Sequence, residues 1–490
     1  MASISRHAAL VLAMLGAGSA HADVVISTKP TSNMSCSNGV CTPTAKKAVL
    51  NVSDLDGMLA DGIATIKSTA QNPDIEITTK LSWSNESKLT LDSYHSITFG
   101  KPVVVAGAGA MTITTNDGGA GGDFFIPQTG HIEFHDNKST LIINGDRYWL
   151  VSSMQNLIKR TTGRFPNAYV AIAKDIDASG KTYSTAPIAT YDGSIEGLGN
   201  AISNFSIDDP SDGIYTGLIG WSGEGVQNIQ LRDIGLVNVS ITSTSSTVGS
   251  LVGLNQGASI TNCYVTGNLS SNRGVSSGLA GGLVGWNSGG TILRSHSSAN
   301  VSGIGGVTVG GLIGKNDGSG TGGGLNEGIV AQSYATGSVS SGDGNLVGGL
   351  IGDDAGGVLS NVYSTGAVTG TSGAFVGGLM GKNETDLHST IQDSYSLGAV
   401  TGGDGAVLGG LIAQDASDAV NQDDYWDMDT SGINNPSQGA GNIPNDPGIV
   451  VLTDTQLKSG LPSGFDPTVW GENSNVNNGY PYLLSNPPPK

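Results

Sequence analysis

This chain of 490 residues is short of charge, cysteine and aromatic rings. Only 13 % of its residues are Asp, Glu, Lys or Arg, 6 % are aromatic and three are Cys, yet 37 % are hydrophobic. So little charge beside so much apolar material argues against a disordered chain. Cations are scarcer than acids, 22 against 41, and the formal net charge is −19. That balance disfavours nucleic acid and anionic membrane as partners. After the first 22 residues no run is long and apolar enough to cross a bilayer, so no transmembrane segment is expected. No long amphipathic helix separates the strand-like stretches, which argues against α/β crossover folds.

Histidine is sparse too. His-Glu-x-x-His is absent. His131 and His135 have i, i+4 spacing, but His131-Ile-Glu-Phe-His135 alternates as a strand does. Cys36 and Cys41 lie close together in a segment expected to be exported, which predicts a small disulfide loop rather than a zinc site. Cys263 stands where other repeats place Ser295, Ser333, Val362 and Ser394, and reads as a small buried filler. Gly274-Val-Ser-Ser-Gly278 fits the nucleophile-elbow pattern by letter only, in a sequence rich in Gly and Ser. Gly180-Lys-Thr182 lacks the earlier Gly of a phosphate loop.

Glycine is abundant, at 76 residues, without the strict period of collagen. Much of it belongs to one phrase written seven times. Gly-Leu-Ile-Gly at 217–220 returns as Ser250-Leu-Val-Gly, Gly282-Leu-Val-Gly, Gly311-Leu-Ile-Gly, Gly349-Leu-Ile-Gly, Gly378-Leu-Met-Gly and Gly410-Leu-Ile-Ala. Its Leu falls at 218, 251, 283, 312, 350, 379 and 411, in steps of 33, 32, 29, 38, 29 and 32 residues. Such a period predicts units that bury their apolar faces only against their neighbours. Each Leu-Ile or Leu-Val pair must turn one member to a corner or outward, because successive strand residues face opposite ways. A second strand follows each phrase, centred on Tyr264, His296, Tyr334, Tyr363 and Tyr395. The two places where length varies, Gly318–Gly328 and Glu384–His388, read as surface loops.

A polar register runs beside the phrase through Ser222, Asn255, Asn287, Asn316, Asp354, Asn383 and Asp415. In parallel stacking these residues lie about 4.8 Å apart, which predicts an amide ladder built on Asn255, Asn287, Asn316 and Asn383. Asn there also accepts a left-handed turn.

The organisation follows. Residues 1–22 read as a signal peptide ending in Ala20-His21-Ala22. Residues 23–47 form an N-terminal leader or cap, 48–215 irregular β-helix coils, 216–415 the repeats, and 416–490 a C-terminal cap with a frayed tail. Helices are expected at Ser53–Ala60, capped by Ser53, at Ser152–Thr162, and after the capping box Thr453–Gln456. A hairpin is expected at Asn144-Gly145. Asp423, Asp424, Asp427 and Asp429 crowd oxygen ligands near Trp426 and are the candidates for Ca²⁺, against a plain acidic capping loop. No other cofactor is implied.

The Gly-Gly-Leu-Val/Ile-Gly phrase, followed by Ser-Tyr-x-Thr/Leu-Gly-x-Val at 333–339 and 394–400, resembles the GLUG motif of bacterial surface proteins. These include filamentous-haemagglutinin-like adhesins and some large extracellular peptidases. Leu81-Ser-Trp83, Ile143-Asn-Gly145, the Tyr425-Trp-Asp box and Gly479-Tyr-Pro-Tyr-Leu483 are similar to segments of the same adhesins. The resemblance implies an all-β, right-handed parallel β-helix (β-solenoid) with N- and C-terminal caps, exposed outside the cell. It also implies an outer-membrane exporter as partner, although Asn-Pro-Asn-Leu and Asn-Pro-Asn-Gly-Ile are absent here. It carries over no catalytic residue.

The expected function is therefore that of an exported, non-enzymatic, adhesin-like surface protein presenting loops and outward Trp221 and Trp286 to a glycan, cell or host ligand. The periplasm is the alternative location. The rival reading is a polysaccharide-active β-helix lyase or hydrolase, with Asp208, Asp209 and Asp212 as candidate carboxylates. For the two tryptophans, packing at a corner is the plainer expectation.

Overall fold

The computed structural model describes residues 23–163, 167–223, 229–318, 327–342, 345–384, 389–416 and 420–489, without the side chains of 275–276. The expected signal peptide, most of the Gly318–Gly328 loop and residues 385–388 lie outside them. The fold is all-β, with 49 % strand against 6 % helix. Large parallel sheets dominate it, an arrangement compatible with a β-helix. Two compact units separate: one runs to Ile176 and includes Gly193–Ala201, the other comprises Asp177–Asp192 and everything from Ile202.

In the first unit short strands pass in turn through three parallel sheets. Ile63–Lys67, Lys88–Asp92, Ala110–Thr114 and Thr140–Ile143 form one. Ile75–Ile77, Ile97–Phe99 and Phe124–Phe125 belong to the second, which also takes Val24–Ser27 and Ala48–Asn51. Leu81–Trp83, Val103–Val105 and Ile132–Phe134 form the third. Alternation decides the burial. Ile75, Ile77, Leu89, Leu91, Val103 and Val105 are fully or almost fully buried, while the residue between each pair is partly exposed. Leu141 pairs antiparallel with Tyr148 across Asn144-Gly145, the expected hairpin. The helix Val52–Ala60 differs from expectation at its start. Asn51, not Ser53, is its N-cap, and its side chain accepts from the Ser53 N–H. An Asn two positions earlier, just outside the helix, meets the first free N–H groups better than a Ser already inside it. The helix Met154–Thr161 is capped by Ser153.

In the second unit the seven phrases lie in register. Ile219, Val252, Val284, Ile313, Ile351, Met380 and Ile412 pair in sequence in one parallel sheet. The seven phrase leucines are at most 1 % exposed. They sit just before that sheet, at the corner entering it, so Leu312 and Ile313 are both inside and neither faces outward. From Leu251 to Leu411 each leucine N–H donates to the next leucine carbonyl at 2.8–3.0 Å. The glycine just before the phrase makes this corner close. A Cβ on Gly348 would land on the Ile351 carbonyl three residues ahead, and Gly281, Gly310, Gly377 and Gly409 are placed in the same way.

A second corner is left-handed in every repeat. Asp233, Asn262, Arg294, Gln332, Asn361, Asp393 and Asp423 all have φ of 46–56°. This corrects the expectation that the ladder asparagines take that conformation. The turn falls at the following corner, and the register holds it even at Arg and Gln, which seldom adopt it.

The aromatic of the second strand does more than fill space. Tyr264, His296, Tyr334, Tyr363 and Tyr395 stack face to face, with centroids 4.6–5.4 Å apart and planes within 12°. Each such contact adds about 0.5–1.5 kcal/mol beyond area burial. The C-terminal segment covers this stack. Trp470 tilts against Tyr363 and Tyr395 and donates to Asn361 Oδ1 at 2.8 Å. Tyr395 Oη donates to the Pro481 carbonyl at 2.6 Å and Tyr334 Oη to that of Pro487 at 3.4 Å. Asn486 donates to the Ser295 and Gln332 carbonyls, which turns its Oδ1 to His296 Nδ1 at 3.0 Å and fixes that nitrogen as the donor. Burial holds the His296 imidazole down at about 4, so it is neutral. Pro487, expected in a frayed tail, is thus held. The last leucine rung is met by Gly439, whose carbonyl accepts from Leu411 and Ile412.

Candidate ligand-binding face

The eight-stranded sheet of the second unit runs from Ile188–Tyr191 through Ile219–Ser222, Val252–Gln256, Val284–Ser288, Ile313–Asp317, Ile351–Ala355 and Met380–Asn383 to Ile412–Gln414. Within each phrase strand the apolar residue after Leu faces in. The glycine that follows has no side chain to place, and a Cβ on Gly285 would lie 2.8 Å from the Gly253 carbonyl. The next residue is exposed or partly exposed in most strands, and buried at Leu254 and Asp353. This yields one row in register: Thr190, Trp221, Leu254, Trp286, Lys315, Asp353, Lys382 and Gln414. Trp221 and Trp286 are half-buried residues of strands, two rungs apart, and the Trp221 ring tilts against Tyr215 with centroids 6.0 Å apart. Their indole N–H groups are tied sideways, Trp221 to Gln256 Oε1 at 3.1 Å and Trp286 to Asp317 Oδ2 at 2.8 Å. Leu254 lies between them. Beyond Trp286 the row becomes ionic, with Lys315 3.1 Å from Asp353 and Lys382 3.3 Å from Glu384. Burial lowers the Lys315 ammonium, but Asp353, Glu384 and Asp317 outweigh it and keep the group charged.

One residue further along, the same strands turn a polar side chain inward. Asn255 Nδ2 donates to Asn287 Oδ1 and Asn287 Nδ2 to Asn316 Oδ1, both at 2.8 Å. Asn316 Nδ2 donates to Asp354 Oδ1 at 2.6 Å, and Asn383 Nδ2 to Asp415 Oδ1 at 2.7 Å. All of these residues are at most 3 % exposed. Cys36 and Cys41 are disulfide-bonded. Cys263 is buried, and its N–H donates to Ser295 Oγ at 3.1 Å.

The carboxylates proposed for chemistry are kept apart. Asp208 is exposed, whereas Asp209 on the opposite face is buried. Burial alone would raise the Asp209 carboxyl, but hydroxyl donors from Ser211, Thr216 and Ser245 hold it below its usual range. Asp212 is exposed in a left-handed turn. The four acids near Trp426 serve separate backbones. Asp424 accepts the N–H groups of Ser394 and Gln422, and burial pushes its carboxyl well up. Asp427 caps the helix Met428–Ser431, and Asp429 accepts the Asp454 N–H. The Asp423 side chain lies against Gly464. Among the described residues no three His, Cys, Asp or Glu side chains converge to hold a metal. His131 and His135 both approach Glu133, at 3.6 and 2.7 Å, from the outer face of the strand Ile132–Phe134.

Among the described residues no helix is long and apolar enough to cross a membrane. No curated protein matches the chain. One similar solved structure is that of a "putative immunoglobulin A1 protease" from Bacteroides ovatus. It is 18 % identical, with a TM-score of 0.43, over 69 % of this chain and 93 % of that one. The GLUG motif matches residues 244–270, the segment that carries Leu251, Asn255, Cys263 and Tyr264, so the chain is a GLUG-containing β-rich protein.

Proposed function

We propose that this chain is an exported, non-enzymatic, adhesin-like surface protein, a right-handed β-helix with capped ends that binds glycan on the row Trp221–Leu254–Trp286. The two indoles supply the observation that carries this reading. Strands about 4.8 Å apart put them roughly 10 Å from one another, a span suited to alternate rings of an extended saccharide. Their N–H groups are occupied at the side, and the part of each ring left exposed, beside Tyr215 at Trp221, would meet the C–H surface of a sugar. Lys315 and Lys382 would meet an acidic sugar further along. The reading needs no cofactor. Export places the protein at the cell surface, with an outer-membrane exporter as partner and the periplasm as the alternative location; cell fractionation decides between them.

The test is a glycan array read with the purified chain beside Trp221→Ala and Trp286→Ala. Binding should weaken at least about 10-fold in either variant, since each aromatic contact carries on the order of 1 kcal/mol or more. Glycan binding that survives both substitutions removes the site. Release of reducing or unsaturated ends from polyuronates, abolished by Asp208→Asn or Asp209→Asn, favours the lyase or hydrolase reading instead.

A further inference from the structure

The amide ladder contains one residue that cannot play its part as an ion. In the rungs before it, each side chain accepts from one neighbour and donates to the next. Asn316 accepts from Asn287 and donates to Asp354 Oδ1. Asp354 is Cα partner to Asn383 in the adjoining strand, as Asn316 is to Asp354. Its Oδ1 occupies the acceptor place. Its Oδ2 accepts the Gly357 N–H at 3.1 Å, where the Nδ2 of Asn255 and of Asn287 donates to the carbonyl three residues ahead. The glycines confirm that equivalence. A Cβ on Gly290 would touch Asn255 Nδ2 and Asn287 Oδ1, and one on Gly357 would touch Asn316 Nδ2 and Asp354 Oδ1. On the far side Asn383 Oδ1 is buried and has no partner among the described residues. An amide oxygen facing a carboxylate oxygen is repulsive. The same oxygen facing a carboxylic acid is a hydrogen bond.

We propose that Asp354 is held as the neutral acid, that its Oδ2–H donates to Asn383 Oδ1, and that the ladder is continuous only in that state. Loss of the proton to solvent leaves two acceptors face to face and opens the stack between the rungs of Asp354 and Asn383. The stack is thereby weakened at one chosen place as pH rises.

The surroundings agree. Asp354 is fully buried, and burial lifts its carboxyl to about 6 although Ser389, Asn316 and the Gly357 N–H all donate to it. The charged groups nearby belong to the outer side of the same sheet: Asp353 on its own strand, Lys315 and Asp317 before it, Lys382 and Glu384 after it. Asp353 raises the carboxyl further. The inner strands 346–348 and 375–377 carry no ionisable side chain, and Val358–Ser364 carries only Tyr363. The sign follows from proton binding. The folded state holds a proton that the unfolded chain releases near 3.8, so this contribution is complete below that pH and disappears as pH rises through about 6.

The experiment compares full-length protein with Asp354→Asn between pH 4 and 8, reading the difference in unfolding midpoint so that other acids cancel. Asn supplies a permanent donor and already fills this row at 255, 287, 316 and 383. Its advantage over the parent should grow with pH, to about 10- to 100-fold in the folding equilibrium at pH 8. Asn287→Asp should install a second pH-dependent loss in a rung that now has none. Infrared spectra of the unsubstituted protein at pH 5 should show a buried C=O stretch of a protonated acid that Asp354→Asn lacks. Identical pH profiles for parent and Asp354→Asn, or absence of that band at pH 5, would overturn the proposal.

Discussion

Replacing Asn287 by Ala tests whether the buried ladder, rather than apolar stacking alone, holds the repeats together. Asn287 is fully buried. It accepts from Asn255 at 2.8 Å, donates to Asn316 at 2.8 Å and donates to the Gly290 carbonyl at 3.0 Å. Truncation leaves the Asn316 Oδ1 and the Gly290 carbonyl without this donor and removes one acceptor from Asn255. Asn255 keeps a partner in the Ala258 carbonyl. Each stranded buried group costs about 1–3 kcal/mol. A water entering the vacated polar space would recover part of the loss. The expected cost is therefore about 3 kcal/mol. Asn300→Ala is the control, because Asn300 Nδ2 makes the same amide-to-amide bond to Asn268 Oδ1 at 3.0 Å while exposed to solvent. Its cost should stay below about 1 kcal/mol, since water replaces the lost partner. Urea unfolding measures both, with hydrogen exchange on the flanking rungs, because stacked units open piecemeal. If the two variants lose equal stability, burial of the ladder contributes nothing and the reasoning fails.

Gly348→Ala should cost about 1–3 kcal/mol by thermal unfolding, since its Cβ is driven onto the Ile351 carbonyl; an unchanged midpoint would show that the corner yields freely. Asp446 is pushed up to about 7 by burial and by Asp415, so it too binds a proton on folding. Its contribution is lost as pH rises through about 7, and Asp446→Asn should flatten the stability profile between pH 5 and 8. A midpoint that falls as steeply in the variant refutes that assignment.

What could be read beforehand was whatever repeats. The seven leucines, the asparagine row and the tyrosine row each recur at the step of the coil, and a parallel register turns recurrence into contact. The expected corner within each Leu-Ile pair exists, but it lies at Leu and keeps both residues inside. Sequence spacing shows that two successive residues cannot share one face of a strand. It does not show where the chain bends. The left-handed corner was assigned to the wrong asparagines for a related reason. Asn suits that conformation, yet the register imposes it on Arg294 and Gln332 as well, so residue preference was a poor guide to its place. A C-terminal cap was legible as cover for the open end of the repeats, but its contacts along the tyrosine row were not. Asn486 reaches Ser295 across 191 positions and Pro487 reaches Tyr334 across 153, through contacts that occur once and leave no periodic trace.

That cover explains why the aromatic row and the asparagine row are finished differently. An amide carries both donor and acceptor, so each rung satisfies the next and only the ends of the row need partners. A tyrosine ring stacks equally well, but its hydroxyl points along the ring plane, away from its neighbours in the stack. Every buried hydroxyl then needs an acceptor from outside the repeat. Pro481, Pro487 and Ser463 supply carbonyls to Tyr395, Tyr334 and Tyr425, while Asn486 serves the histidine that replaces one ring. Tyr363 alone among these has a buried hydroxyl with no partner among the described residues, and there Trp470 lies against the ring instead. A stack of buried tyrosines therefore requires a C-terminal segment of irregular sequence to satisfy it. The segment cannot be periodic, because the groups it serves differ from rung to rung.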